Sequence, residues 1–145
     1  MGHKTHPIGF RLGTHQDWQA RWFAGSAREY RNTLLEDLKL RNAVTRRSPD
    51  AGISRIEIER SSQEVTVSIW TARPGIVIGR QGQRVEETRQ SLEALTAKKV
   101  RISVQEVRQP EIDATLVARN IAEQLERRVL RARERRAARR RALQA

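Results

Sequence analysis

Gly79-Arg80-Gln81-Gly82 is the segment of this sequence whose residue types best fit a definite chemistry. Two glycines three positions apart carry no Cβ, so the backbone between them can come close to a sugar-phosphate chain. The amides and dipole at the start of a helix behind such a turn attract phosphate. Arg80 supplies a cation at that contact, and Arg84 follows four residues later as a second candidate ligand. The two familiar nucleotide loops fit poorly. The phosphate loop of nucleotidases needs four residues between its glycines and a Lys-Ser/Thr pair behind them, whereas three residues separate Gly75 from Gly79 and Arg80-Gln81 follow. The dinucleotide fingerprint G-x-G-x-x-G needs a long βαβ unit that is not evident here. A bare G-x-x-G is ordinarily a tight connection between elements, so its meaning rests on its flanks.

The charge balance narrows the class of partner. Among 145 residues, 29 Lys and Arg against 17 Asp and Glu give a formal net charge of +12 and a sequence pI near 11.5, which suits a polyanion, with nucleic acid the first candidate. The excess is uneven. Residues 127–145 hold nine arginines and one glutamate, leaving +4 for the first 126 residues. Candidate phosphate contacts in this tail are Arg127, Arg128, Arg131, Arg133, Arg136, Arg139 and Arg140, and in the first residues Lys4 and Arg11. Such contacts position a protein on RNA without reading sequence.

Catalysis has no constellation behind it. There is no G-x-S-x-G, no H-E-x-x-H and no histidine near the serines of the folded part; His3, His6 and His15 all lie near the N-terminus. His3 and His6 alone make a poor metal site, and with no cysteine there is neither disulfide framework nor thiolate centre, so no cofactor or metal is expected. No signal-peptide segment and no run approaching about 20 apolar residues is present, so the expectation is a cytoplasmic protein with no membrane partner.

Three regions must position these residues. Residues 1–25, with Gly2, Pro7, Gly9 and Gly13 among basic residues, predict an extended arm without helical or strand period. Residues 26–109 predict a globular domain. Ser26 with Glu29 forms a capping box for a helix to about Val44, with Tyr30, Leu34 and Leu38 recurring every fourth residue. Ile56 and Ile58, then Val65, Val67 and Ile69, alternate as two strands of a hairpin. After the glycine segment, Val85, Thr88, Leu92 and Leu95 share a helical face, and Val100, Ile102 and Val104 mark a third strand. Residues 110–145 predict a last helix, with Pro110 in its first turn and Val117, Ile121, Leu125 and Val129 as a stripe for docking on the body. Beyond Leu130 this becomes a solvated helix, a disordered tail, or a helix completed by an anion. The sum is an α+β fold with a three-stranded sheet covered by helices. Trp18, Trp22 and Phe23 are expected to pack the end of the arm against the first helix.

With "VIGRQGQRV" set between an apolar strand and an amphipathic helix followed by another strand, this region resembles the KH domain in its type II order. That resemblance implies a clamp on the backbone of a few unpaired nucleotides, with Ile76, Val77, Ile78 and Val85 in the apolar groove or the core beneath it. The opening "MGHKTHPIGFRLG" and the stretches "DAGISRIEIER", "TARPGIVIG" and "NIAEQLERRV" are similar to the bacterial family of small-subunit ribosomal protein three. Membership would imply a structural role in the head of the small subunit, beside the entrance for messenger RNA, with ribosomal RNA and messenger RNA as partners. That family continues into a second α+β domain, absent from these residues, which packs on ribosomal proteins ten and fourteen, so those two contacts are not implied here. Arg133 and Arg136 align with two basic positions of the family facing the messenger-RNA channel, Ala132 replaces a third, and Ala97 stands where a helix-ending glycine is common. The alternative is a free-standing KH regulator or ribosome assembly factor. The sequence equally admits a natural short form, half of a split protein or a truncation, and either kind of RNA at the G-x-x-G loop.

Overall fold

The computed structural model describes residues 2–142, with side chains up to Arg131 and at Arg133. The chain divides into two units, Met1–Val107 and Arg108–Ala145.

In the first unit, a short helix α1 (Pro7–Arg11) and a two-residue strand β1 (Ala20–Arg21) precede the long helix α2 (Ala27–Arg47). Strands β2 (Ile53–Arg60) and β3 (Glu64–Thr71) form an antiparallel hairpin. Helices α3 (Pro74–Ile78) and α4 (Gln83–Thr96) then lead to β4 (Lys99–Glu106), which pairs parallel to β3. The sheet therefore has four strands in the order β1-β2-β3-β4, one more than expected, because Ala20 and Arg21 pair parallel with Ile58 and Glu59. The α+β layout stands.

The arm is not extended throughout, since residues 7–11 are helical and 20–21 join the sheet. His6 Nδ1 accepts from the Gly9 amide at 3.1 Å and caps α1, giving this histidine a backbone role. Further along, Ile58 N donates to the Gln19 carbonyl at 3.0 Å, and Arg41 on α2 donates to the carbonyls of Gln19 (2.7 Å) and Ile56. Burial pushes the Arg41 pKa down and the Asp37 carboxylate opposes that shift. Tertiary contacts such as these order a segment that has no period of its own.

The hairpin and β4 follow the alternation closely. Ile53, Ile56 and Ile58 of β2, with a register shift between Ile53 and Arg55, join Val65, Val67, Ile69 and Val100 in the core, while Arg55–Glu57 (2.8 Å) and Arg21–Glu59 (3.2 Å) pair on the exposed side. In α2 the Ser26 hydroxyl accepts from Glu29 N as predicted, and Glu29 reaches the Gly25 amide. Its buried residues, however, are Asp37, Leu40 and Val44, whereas Tyr30, Leu34 and Leu38 are exposed. In α4 the inward set ends on Thr96, leaving Leu95 outside. Thr96 Oγ1 donates to the Leu92 carbonyl at 3.1 Å, which lets a hydroxyl occupy that buried place.

α4 ends on Ala97 at φ 51°, ψ 20°, with its amide on the Glu93 carbonyl at 2.9 Å. A left-handed residue is thus required where alanine is strained by roughly 1–2 kcal/mol. Glycine's extra freedom when unfolded offsets part of that gain. We expect Ala97→Gly to stabilise the protein by about 0.5–1 kcal/mol, read as a higher urea midpoint with an unchanged m value.

In the second unit, Pro110 sits in a separate 3-10 turn (Pro110–Ile112), not in the last helix. That helix, α5 (Ala114–Ala142), begins one turn later because Asp113 Oδ1 caps Thr115 N and Leu116 N at 3.0 and 3.1 Å. The arginine-rich stretch through Ala142 continues α5.

Candidate functional site

The G-x-x-G loop is built from three local features. The apolar "PGIVI" segment folds as α3, which pattern reading missed because three β-branched residues in a row read as strand; Pro74 starts the helix and Val77 is buried in the core. The helix ends at Gly79, with φ 73° and ψ −174°, a conformation essentially confined to glycine. Gln81 (φ 50°) and Gly82 (φ 79°) then turn left-handed, and α4 starts with no side chain capping its first amides.

Arg80 and Gln81 are exposed, and Arg80 has no ion-pair partner among the described residues. Arg80 lines a groove of about 530 Å³ together with Gly75, Ile76, Gly79, Gln83, Arg84 and Glu87, while Gln81 is not part of its lining. Ile76 packs partly against the core, Val77 is buried and Ile78 is exposed, so the apolar triplet is divided between core and surface. The Glu87 carboxylate on the rim is opposed by Arg47 Nη2 at 3.8 Å. Farther along α4, hydrogen bonds from Arg89 hold the Glu86 carboxyl below its usual range, so it remains an ionised partner for Arg89 at neutral pH.

Arg84 behaves differently from Arg80. Its Nη1 donates to the Ile76 carbonyl at 3.2 Å and its stem lies across Gly79, which fastens the end of α3 to the start of α4. A Cβ on Gly79 would stand 2.8 Å from both Cβ and Cγ of Arg84. Gly79→Ala therefore meets a steric conflict as well as a forbidden backbone region, and we expect it to cost about 2–3 kcal/mol. Gly75→Ala is the control, since an added Cβ there meets nothing within 4 Å and should leave the urea midpoint nearly unchanged or slightly raised.

The other sequence-predicted contacts fall in the first residues and on α5. Lys4 is exposed, and Arg11 Nη1 donates to the Pro7 carbonyl at 2.8 Å; neither lines the groove. On α5, Arg127 is paired with Glu123 at 3.9 Å, and Arg128, Arg131 and Arg133 are exposed. The side chains of Arg136, Arg139 and Arg140 lie outside the described residues. Among the described residues no group of three His, Cys, Asp or Glu is placed to hold a metal ion. No described helix is long and apolar enough to cross a membrane.

The KH-domain sequence profile matches residues 39–112, just over half of the chain and including the whole loop. The chain belongs to the KH-domain family. Over 129 residues, 89% of its length, this KH-containing chain is 58% identical to small ribosomal subunit protein uS3 of Dehalococcoides mccartyi, covering 46% of that protein. It is 54% identical to the uS3 of Desulforamulus reducens and 50% identical to that of Geobacter sulfurreducens over the same share of its length, covering 58% and 60% of them. The chain thus spans about half the length of the relatives it matches. The resemblance seen in the opening residues and the three internal stretches holds, with the hairpin preceding the G-x-x-G loop as in the type II order.

Proposed function

We propose that this KH domain is a structural, RNA-binding component of the small ribosomal subunit, cytoplasmic and without catalytic chemistry of its own. The observation that carries the proposal is the Gly79–Gly82 turn. Its two glycines bring backbone close to the surface, Arg80 lines a groove with no ion-pair partner among the described residues, and the uncapped start of α4 can receive a phosphate. The high identity to uS3 proteins supports small-subunit ribosomal RNA as the main partner. A position in the subunit head, beside the path of messenger RNA, is the finer part of the proposal. It is supported by Arg133, exposed on α5 at one of the family's channel-facing positions.

Co-sedimentation with small ribosomal subunits tests this reading. Association should persist through moderate salt, whereas release into the supernatant would point to a free-standing regulator or assembly factor. Residues 131–145 carry seven arginines and one glutamate. Deleting them should flatten the dependence of log affinity for small-subunit ribosomal RNA on log salt by about 4 or 5, through lost counterion release. An unchanged slope would exclude the tail from the contact.

A further inference from the structure

A second groove, of about 720 Å³, opens where the end of the arm meets the first turns of α2 and the β2–β3 turn. Its walls include Phe23, Arg28, Asn32, Ser61, Ser62 and Lys98, with Trp22 and the buried Arg60 at its base. Phe23 is 93% exposed although its neighbour Trp22 is fastened by its indole N–H, so its ring is left almost wholly open at the surface. Arg28 and Lys98 are exposed and have no ion-pair partner among the described residues. The two carboxylates on the wall are already engaged: Glu29 holds the Gly25 amide at 3.0 Å, and Glu36 holds Arg60 at 2.9 Å. The groove thus offers an aromatic face, two free cations, and neutral hydroxyl and amide groups between them.

We propose that this groove takes one unpaired nucleotide of the bound RNA, with its base on the Phe23 ring and its phosphates at Arg28 and Lys98. The proposal rests on the RNA-binding reading above and adds a contact separate from the G-x-x-G loop, whose groove shares none of these residues. An unpaired base suits the site because every base has a face to stack, and base edges and the ribose 2′-hydroxyl can use Ser61, Ser62 and Asn32. The size is within the range of pockets that hold small ligands, roughly 300–1,000 Å³.

Ultraviolet cross-linking of the full chain to transcribed small-subunit ribosomal RNA, followed by mass spectrometry of the peptides, tests the proposal. A nucleotide adduct is expected on Phe23 in the tryptic peptide Trp22–Arg28, and it should persist when Arg80 and Gln81 are both changed to aspartate. Phe23→Ala, which removes an almost fully exposed ring, should weaken binding about tenfold with unchanged circular dichroism. Arg28→Ala with Lys98→Ala should make the log affinity–log salt slope shallower by about 2. If Phe23→Ala binds this RNA as the parent does and only the loop peptide is cross-linked, the nucleotide site is overturned while the RNA-binding reading stands. If Phe23→Ala instead loses only its association with whole subunits, the groove receives a protein and the proposal is overturned likewise. Absence of any RNA binding by the parent chain would overturn both readings.

Discussion

Replacing Asp37 by alanine should remove about 3–5 kcal/mol of stability, a large part of what a domain of this size possesses. Asp37 is 3% exposed and sits on the inward face of α2. One carboxylate oxygen accepts from Arg60 Nε at 2.8 Å and forms an ion pair with Nη2 at 2.6 Å, and the other oxygen accepts from Trp22 Nε1 at 2.8 Å. Without it, the Arg60 guanidinium, its side chain 6% exposed, keeps only Glu36, and the Trp22 N–H loses its acceptor. The large cost comes from stranding a buried cation, not from the net worth of the pair. Asp37→Asn should cost less, since an acceptor oxygen remains. Asp37→Leu combined with Arg60→Met should cost less than Asp37→Ala alone, because no charge is left buried. Urea denaturation followed by tryptophan fluorescence distinguishes these outcomes; equal midpoints for Asp37→Ala and the parent would remove the anchor from the account. Trp22 also lies with its ring centroid 5.2 Å from that of Tyr30, so its emission should shift when the anchor is released.

Changing Arg80 and Gln81 together to aspartate is expected to leave folding intact and to weaken RNA binding on the order of 100-fold at physiological salt. Both side chains are exposed, and neither Gly79 nor Gly82 is altered, so the turn can form as before. The local charge falls by three units against phosphate. At about 4 Å each unit is worth roughly 1 kcal/mol in water, for a total of about 3 kcal/mol. Filter binding with small-subunit ribosomal RNA measures the loss, and the difference from the parent should shrink as salt rises. Undiminished affinity at physiological salt would sink the clamp. Loss of structure by circular dichroism would show that the loop is held by more than its glycines.

The strands were legible because each buries one side. Val65, Val67 and Ile69 alternate with polar residues, and all three are fully buried. The glycines of the loop were legible for the same kind of reason, since their backbone angles leave few substitutes. Pattern failed where a polar residue holds an apolar place. Asp37 occupies the inward face of α2 because it answers Arg60, which lies 23 positions away, so the exposed Tyr30-Leu34-Leu38 set looked like the core side. It also failed in the arm. Trp18 and Phe23 were expected to pack and are exposed, while Trp22 alone is anchored, by an indole hydrogen bond that no local spacing reveals. Arg84 is a candidate phosphate ligand from its place behind the loop; that its Nη1 also donates to the Ile76 carbonyl is visible only once α3 is known to be a helix.

Strand β1 has a further consequence, one of solubility. It lies along the outer edge of β2, so the Gln19 carbonyl and the Ala20–Arg21 backbone occupy hydrogen-bonding groups of β2 that would otherwise invite another strand. The opposite edge, β4, carries Lys99, Arg101 and Glu106, charges that discourage such pairing. A variant lacking residues 1–22 would lose both the edge cover and the Trp22 anchor, and its β2 edge would become a template for self-association, detectable by light scattering at concentrations where the parent stays monodisperse. Alongside whatever RNA contacts it makes, the arm is thus a guard against aggregation.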